Sequence, residues 1–285
     1  MKGKYAYYAL GEALAHLLSK KASFSLATGF ARVYAAAFSR DLKSIMGNLK
    51  EIMPPATGVK ELKKLAKTVV TDFAAYLVDF FYTYKFSGEF IKKHIEIRGL
   101  EHLDKELSRG KGVLLASAHL GNWEMGGMTL ARMGYPIWGI AVKHKDERID
   151  KIFQRRRAQN GLKIILLGSN LKNCYRVLRS NQILALNADR LFGEGGTAVD
   201  FFNRRVRFPR GIARLSLATG ARIVPAFFIR NGYNQYFLEI QKPLEGRTEE
   251  EQVQHFAVRL EGIIRRHPTQ WFIFQPFWEM PEWPN

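Results

Sequence analysis

Two kinds of hydrophobic periodicity divide the chain. Up to about residue 86, apolar residues recur at the three- and four-residue spacing of helices. Tyr5 to Leu18 and Ser23 to Phe38 are rich in alanine, leucine and aromatic residues, Pro54-Pro55 is a hard stop, and Val59 to Phe86 resumes the helical spacing. From residue 95, short apolar runs alternate with amphipathic stretches. Strands are expected at Ile95 to Arg98, Val113 to Ala118, Ile137 to Val142, Lys163 to Leu167, Ile183 to Asn187, Ile223 to Ile229 and Tyr236 to Ile240. Helices are expected at 101–109, 123–133, 147–159, 170–179, 210–219 and 249–266. Strands that are apolar throughout are buried on both faces, so the alternation predicts an α/β fold: a mainly parallel central sheet flanked by helices, preceded by an N-terminal helical layer. The expected division is a helical region over 1–90 and an α/β domain over 91–285.

The helical region is not expected to cross a membrane. Glu12 and His16 interrupt its first segment and Arg32 its second before 18 apolar residues accumulate. Two readings stay open: an amphipathic membrane contact, with Lys2, Lys4, Lys20 and Lys21 meeting anionic head groups, or a helical layer packed on the core.

Charge narrows the partners. The formal net charge is +18, and residues 151–230 hold 16 Lys and Arg against three acids, whereas 231–285 hold five against eight. A field confined to one segment attracts an acidic partner, whether nucleic acid, anionic lipid or an acidic carrier protein. Phe201, Phe202 and Phe208 lie near the arginines but form no nucleic-acid motif, so nucleic acid is not the expected partner. The single Cys174 excludes an internal disulfide and a thiolate zinc cluster, which suits a reducing compartment, and no other metal-ligand spacing is present. No secretory signal is evident.

Chemistry is concentrated where the run Leu114-Leu115-Ala116-Ser117-Ala118 stops at His119 and turns through Gly121-Asn122 toward Glu124. A strand end at a crevice exposes the imidazole, which can take a proton from a hydroxyl near neutral pH. A carboxylate on its other nitrogen would fix the tautomer, and Glu124 is the nearest candidate in sequence. The pair could not meet on one continuous helix, so His119 is expected in the turn and Glu124 in the first turn after it. Ser117 shares a face with His119, but no Gly-x-Ser-x-Gly elbow makes it a nucleophile. A second cluster, Arg204, Arg205, Arg207 and Arg210, precedes an expected helix start at Pro209-Arg210-Gly211. With Gly193, Gly195 and Gly196 nearby, it reads as a phosphate site or as a solvated basic surface.

The run His119 to Glu124, His-x-Gly-Asn-Trp-Glu, resembles the hallmark of the late acyltransferases of lipid A biosynthesis, within the wider glycerolipid and lysophospholipid acyltransferase superfamily. The likeness continues in Asn187-Ala188-Asp189-Arg190-Leu191-Phe192-Gly193, in Gly195-Gly196-Thr197 through Phe201-Phe202, in Pro209-Arg210-Gly211, and in Gly220 to Pro225 with Arg230. It extends from about residue 5 to 278. Lys143-His144-Lys145 and Leu191 depart from the family pattern at positions that bear on the acceptor.

The resemblance implies a glycerol-3-phosphate acyltransferase-like fold and transfer of a fatty acyl chain from acyl carrier protein or coenzyme A, with no further cofactor. The implied acceptor is a hydroxyl on a membrane glycolipid, foremost a lipid A precursor, or another glycolipid such as a phosphatidylinositol mannoside. It also implies work at the cytoplasmic face of a bacterial inner membrane, peripheral or monotopic. His119 and Glu124 are then the expected catalytic pair. Asn122, Asp189 and one of Arg156 or Arg157, the latter in an Arg-x-x-x-Gly setting, join the basic cluster as substrate contacts, with Asp189 able to brace the arginine. Direct transfer is expected, with backbone amides after His119 receiving the oxyanion. A lipid hydrolase, or a protein that only binds nucleic acid or anionic membrane, is the competing reading.

Overall fold

The computed structural model describes residues 4–168, 171–191 and 195–279. Four helices come first: α1 (Lys4–Leu17), α2 (Lys20–Ala37), α3 (Ser39–Ile52) and α4 (Val59–Phe81). The helical spacing carried the fourth on to Phe86, but a 3-10 turn over Tyr82–Lys85 ends it, and Ser87 caps a new short helix, α5 (Gly88–His94), by accepting from the Phe90 amide. Periodicity alone does not register such a break.

Strands and helices then alternate as expected: β1 (Ile95–Arg98), α6 (Leu100–Leu107), β2 (Val113–Ser117), α7 (Trp123–Arg132), β3 (Ile137–Ala141), α8 (Glu147–Gln159), β4 (Lys163–Leu166), α9 (Lys172–Arg179) and β5 (Ile183–Asn187). After them come β6 (Thr197–Phe201), β7 (Arg204–Phe208), α10 (Gly211–Thr219), β8 (Arg222–Arg230), β9 (Tyr236–Ile240) and α11 (Glu249–Arg266). The seven-stranded sheet runs β1-β9-β8-β2-β5-β3-β4 and is parallel except between β8 and β9.

The β6–β7 hairpin is the element the sequence reading lacked. The run Arg204 to Arg210, expected only to precede a helix start, is a strand up to Phe208: Val206 and Phe208 alternate with arginines at strand period, and the turn is made by Phe202 and Asn203 at φ 50° and 60°. That geometry is the two-residue turn that matches strand twist. The four-arginine count hid a period-2 pattern.

Helices α7 and α8 pack with α1 on one face of the sheet, while α9, α10 and α11 pack on the other with α3 and most of α4. The chain moves outward from β2 to β4 along the first face and back from β4 to β8 along the second. The crevice of such a sheet opens where the direction reverses, at the carboxyl ends of β2 and β5. The N-terminal helices contribute to both hydrophobic cores, so they pack on the sheet rather than beside it.

Candidate active site

At the end of β2 the chain runs through Ala118 to His119 and turns at Gly121, whose φ is +61°. A side chain there would put its Cβ 2.0 Å from the Phe228 carbonyl oxygen, so only glycine fits. Asn122 then caps α7, accepting from the Met125 amide through Oδ1. The turn is held from outside. Gly121 N donates to Gln270 O at 2.9 Å, Asn122 N to Phe228 O at 2.8 Å, and Phe272 N to His119 O at 2.8 Å. The amides of Gly121 and Asn122, expected to face an oxyanion, are therefore already engaged.

The two carboxylates exchange the partners expected of them. Asp189, just past β5, accepts from the backbone amide of His119 through Oδ2 at 2.9 Å, and its Oδ1 lies 2.7 Å from Nδ1 of the same residue. A third donor, Trp271 Nε1, reaches Oδ2 at 3.1 Å. Burial would raise the Asp189 carboxyl, but the His119 charge and hydrogen bonds, with Arg190 beyond them, outweigh it and hold the group below its ordinary value. Glu124 does not take Nδ1. It faces Arg157 in a buried two-bond fork, Nε to Oε2 at 2.8 Å and Nη2 to Oε1 at 2.6 Å. Burial works against the Arg157 charge, yet Glu124 raises the guanidinium above its usual value. The arginine that Asp189 was expected to brace is braced by Glu124, and the histidine that Glu124 was expected to orient is oriented by Asp189.

His119 and Ser117 lie on the lining of a cavity of about 920 Å³, bounded mainly by apolar side chains and near the upper end of the ~300–1,000 Å³ usual for ligand sites. Besides His119, its acidic and basic lining residues are Glu124, Arg157, His144, Arg190 and Arg210. Among the described residues, no hydrogen bond occupies Nε2 of His119, and Nη1 of Arg157 is buried without a partner. Burial, and then the Arg157 charge, hold the His144 imidazole below its usual value.

Several expected substrate contacts lie elsewhere. Asn122 is 2% exposed and committed to its cap. Arg156 reaches away from the cavity to Glu12 of α1 at 2.8 Å, with its guanidinium over the Tyr84 ring. Arg204 pairs with Glu51, Arg205 with Asp200, and Arg207 donates to the Gly196 carbonyl at 2.9 Å. Of the four arginines in that run, Arg210 alone lines the cavity. Gly193 lies outside the described residues. The sequence reading also missed Gln270, Trp271 and Phe272, which pair with the turn from far along the chain; a buried indole that needs an acceptor for its N–H was the one available hint.

Compared with known proteins, the chain matches, over residues 2–280, the family described as bacterial lipid A biosynthesis acyltransferase. It is 32% identical over 188 residues to a phosphatidylinositol mannoside acyltransferase of Mycobacterium tuberculosis H37Rv, covering 64% of this chain and 59% of that protein. The chain thus spans less than two thirds of the length of this mycobacterial relative. A lipid A biosynthesis palmitoleoyltransferase of Escherichia coli K12 is 22% identical over 242 residues, 83% of this chain and 78% of that one. The solved 1-acyl-sn-glycerophosphate acyltransferase of Thermotoga maritima superposes with a TM-score of 0.37 at 12% identity, over 87% of this chain and 95% of that one, too loosely to bear on the chemistry.

Proposed function

Because the chain belongs to the bacterial lipid A biosynthesis acyltransferase family, we propose that it transfers a fatty acyl group from an acyl-carrier-protein or coenzyme A thioester to a hydroxyl of a membrane glycolipid. The observation that carries this reading is an imidazole braced at Nδ1 by a buried carboxylate, on the wall of a large apolar cavity. Nε2 of His119 takes the acceptor's hydroxyl proton while Asp189 steadies the imidazolium, the alkoxide attacks the thioester carbonyl, and the C–S bond breaks. The departing thiolate recovers the proton from His119, so the enzyme returns unchanged with no acyl-enzyme. Arg157, on the cavity lining and with Nη1 unpartnered, is our candidate donor for the oxyanion.

The acceptor is a lipid A precursor on the family's own description. The mycobacterial relatives favour a second reading, a phosphatidylinositol mannoside. The outer faces of α1 and α2 support work at a membrane surface: Tyr7, Leu10, Leu17, Phe30 and Val33 are each more than half exposed, while Ala15, Phe24 and Ala31 pack inward. Among the described residues no helix is long and apolar enough to cross a bilayer. The exposed arginines of β7 suit an acidic carrier protein. Mass spectrometry of lipids after incubation with acyl-carrier-protein thioester and a panel of acceptors tests the reading. One acceptor should gain one acyl chain with wild type, and turnover should fall about 10²–10⁴-fold with His119→Ala. Release of free fatty acid alone would replace the transferase with a hydrolase.

A further inference from the structure

The cavity touches both faces of the sheet. On β3 the neighbours Gly139 and Ile140 both line it, as do Ala185 and Leu186 on β5 and Ile164 and Ile165 on β4. Successive strand residues point to opposite faces, so a cavity reaching both members of three such pairs must wrap over the carboxyl edge of the sheet. The hydrophobic clusters agree: Leu115, Ala185 and Phe228 belong with α7, whereas Ile165, Leu186, Cys174 and Ile212 belong with α9 and α10. Ser117, the last residue of β2, and His119, two residues past it, lie at the edge between the two lobes.

The lobes differ in charge. Beneath α7 the lining sets Gly126, Gly127, Gly139 and Ala185 among larger apolar side chains such as Leu115 and Phe228. A Cβ on Gly127 would lie 3.1 Å from Leu162 and one on Gly139 3.2 Å from Ile164 of the adjacent strand, so these positions have no room for a larger side chain. Its cation, Arg157, is neutralised by Glu124. Beneath α9 and α10 the lining carries the Arg210 guanidinium, and Glu124 is the sole carboxylate among the described residues that line the cavity. That lobe is apolar in depth and electropositive at its rim.

We infer that the cavity is two sites meeting at His119: the lobe beneath α7 takes the donor's acyl chain, and the lobe beneath α9 and α10 takes a hydrocarbon chain of a phosphate-bearing acceptor lipid, its phosphate at Arg210. The inference rests on the acyl-transfer reading, which requires two lipid-like ligands at one imidazole. An uncharged acyl chain gains nothing from a basic rim, while a phosphorylated lipid gains charge-assisted hydrogen bonds there.

The chain carries its own reporter, because its single cysteine, Cys174, lines the second lobe. Labelling of Cys174 by decyl methanethiosulfonate, followed by intact mass, forms a mixed disulfide and releases methanesulfinate. Relative to detergent alone, diacyl phosphatidylinositol is expected to slow labelling at least tenfold. Palmitoyl-N-acetylcysteamine, a thioester without phosphate, should leave the rate within about twofold, and dioleoylglycerol should protect far less than the phosphorylated lipid. Protection by the thioester alone, or none by phosphatidylinositol, overturns the assignment.

Ile212→Trp, which fills the same lobe, should raise KM for the acceptor about tenfold and leave KM for the donor in place; the reverse pattern also overturns it. The two readings fail separately. Protection by phosphatidylinositol without acyl transfer to any acceptor would keep the lobe and remove the reaction, whereas transfer with thioester protection would keep the reaction and exchange the lobes.

Discussion

Glu124 and Asp189 offer two carboxylates to one small region, and their fates differ. Glu124 is five residues from His119 and sits in the first turn of α7, where the helix axis carries it toward α8 and the fork of Arg157. Asp189 is 70 residues away, yet β2 and β5 run parallel and in register, Ser117 opposite Asn187, so the residues just past both strand ends arrive side by side. Nearness along the chain marks which residues gather at a site. Strand register decides which of them touch.

The sharpest way to break that comparison is to neutralise each acid in turn. Asp189→Asn removes the acceptor on Nδ1 and is expected to lower kcat by about 10²–10⁴ with little change in Tm. Glu124→Gln leaves Arg157 buried and poorly paired, and is expected to cost about 3 kcal/mol of stability, read as a lowered urea midpoint. If both variants lose activity without losing stability, Glu124 belongs to the chemistry after all. Equal activity of Asp189→Asn and wild type would end the pairing proposed here.

A smaller effect is expected at Trp271. Trp271→Phe deletes one of three donors to Asp189, a loss of about 1 kcal/mol, near fivefold in kcat. Because hydrogen bonds favour the ionised carboxylate, the acid limb of the kcat profile should also move to higher pH. A variant with lowered activity and an unmoved limb would make the indole a packing residue only.

The smallest concerns His144, a departure from the family pattern. Its folded pKa lies below the ordinary imidazole value of about 6.5, so the unfolded chain binds the extra proton. Stability should therefore be full above that value, decline as pH falls through it, and level off once the folded group titrates too. His144→Gln should flatten this decline, and an unchanged acid limb would exclude His144 as its source.

The parallel sheet, the helical layer and the His119 turn were legible because each depends on local signals: apolar runs, spacing, and glycine after a strand. The hairpin at Thr197–Phe208 was masked, since arginine content outweighed the alternation of Val206 and Phe208. Arg156 and Arg157 show the limit most plainly. They are adjacent and chemically identical, yet one ties α8 to Glu12 of α1 and the other faces the cavity, because neighbouring positions on a helix point about 100° apart and only the packing of α8 says which way is in. The partners of His119 were hidden for the same reason, being set by register and by a segment around Trp271 that no motif joins to it.

That segment has a consequence for the order of events during synthesis. His119, Asp189 and Trp271 emerge from the ribosome in that sequence, and Phe272 must be made before its amide can close on the His119 carbonyl. A chain stopped short of Trp271 lacks the strut that fixes the base, whatever else of the sheet it has formed. Competence to react thus waits on a segment made about 150 residues after the base itself.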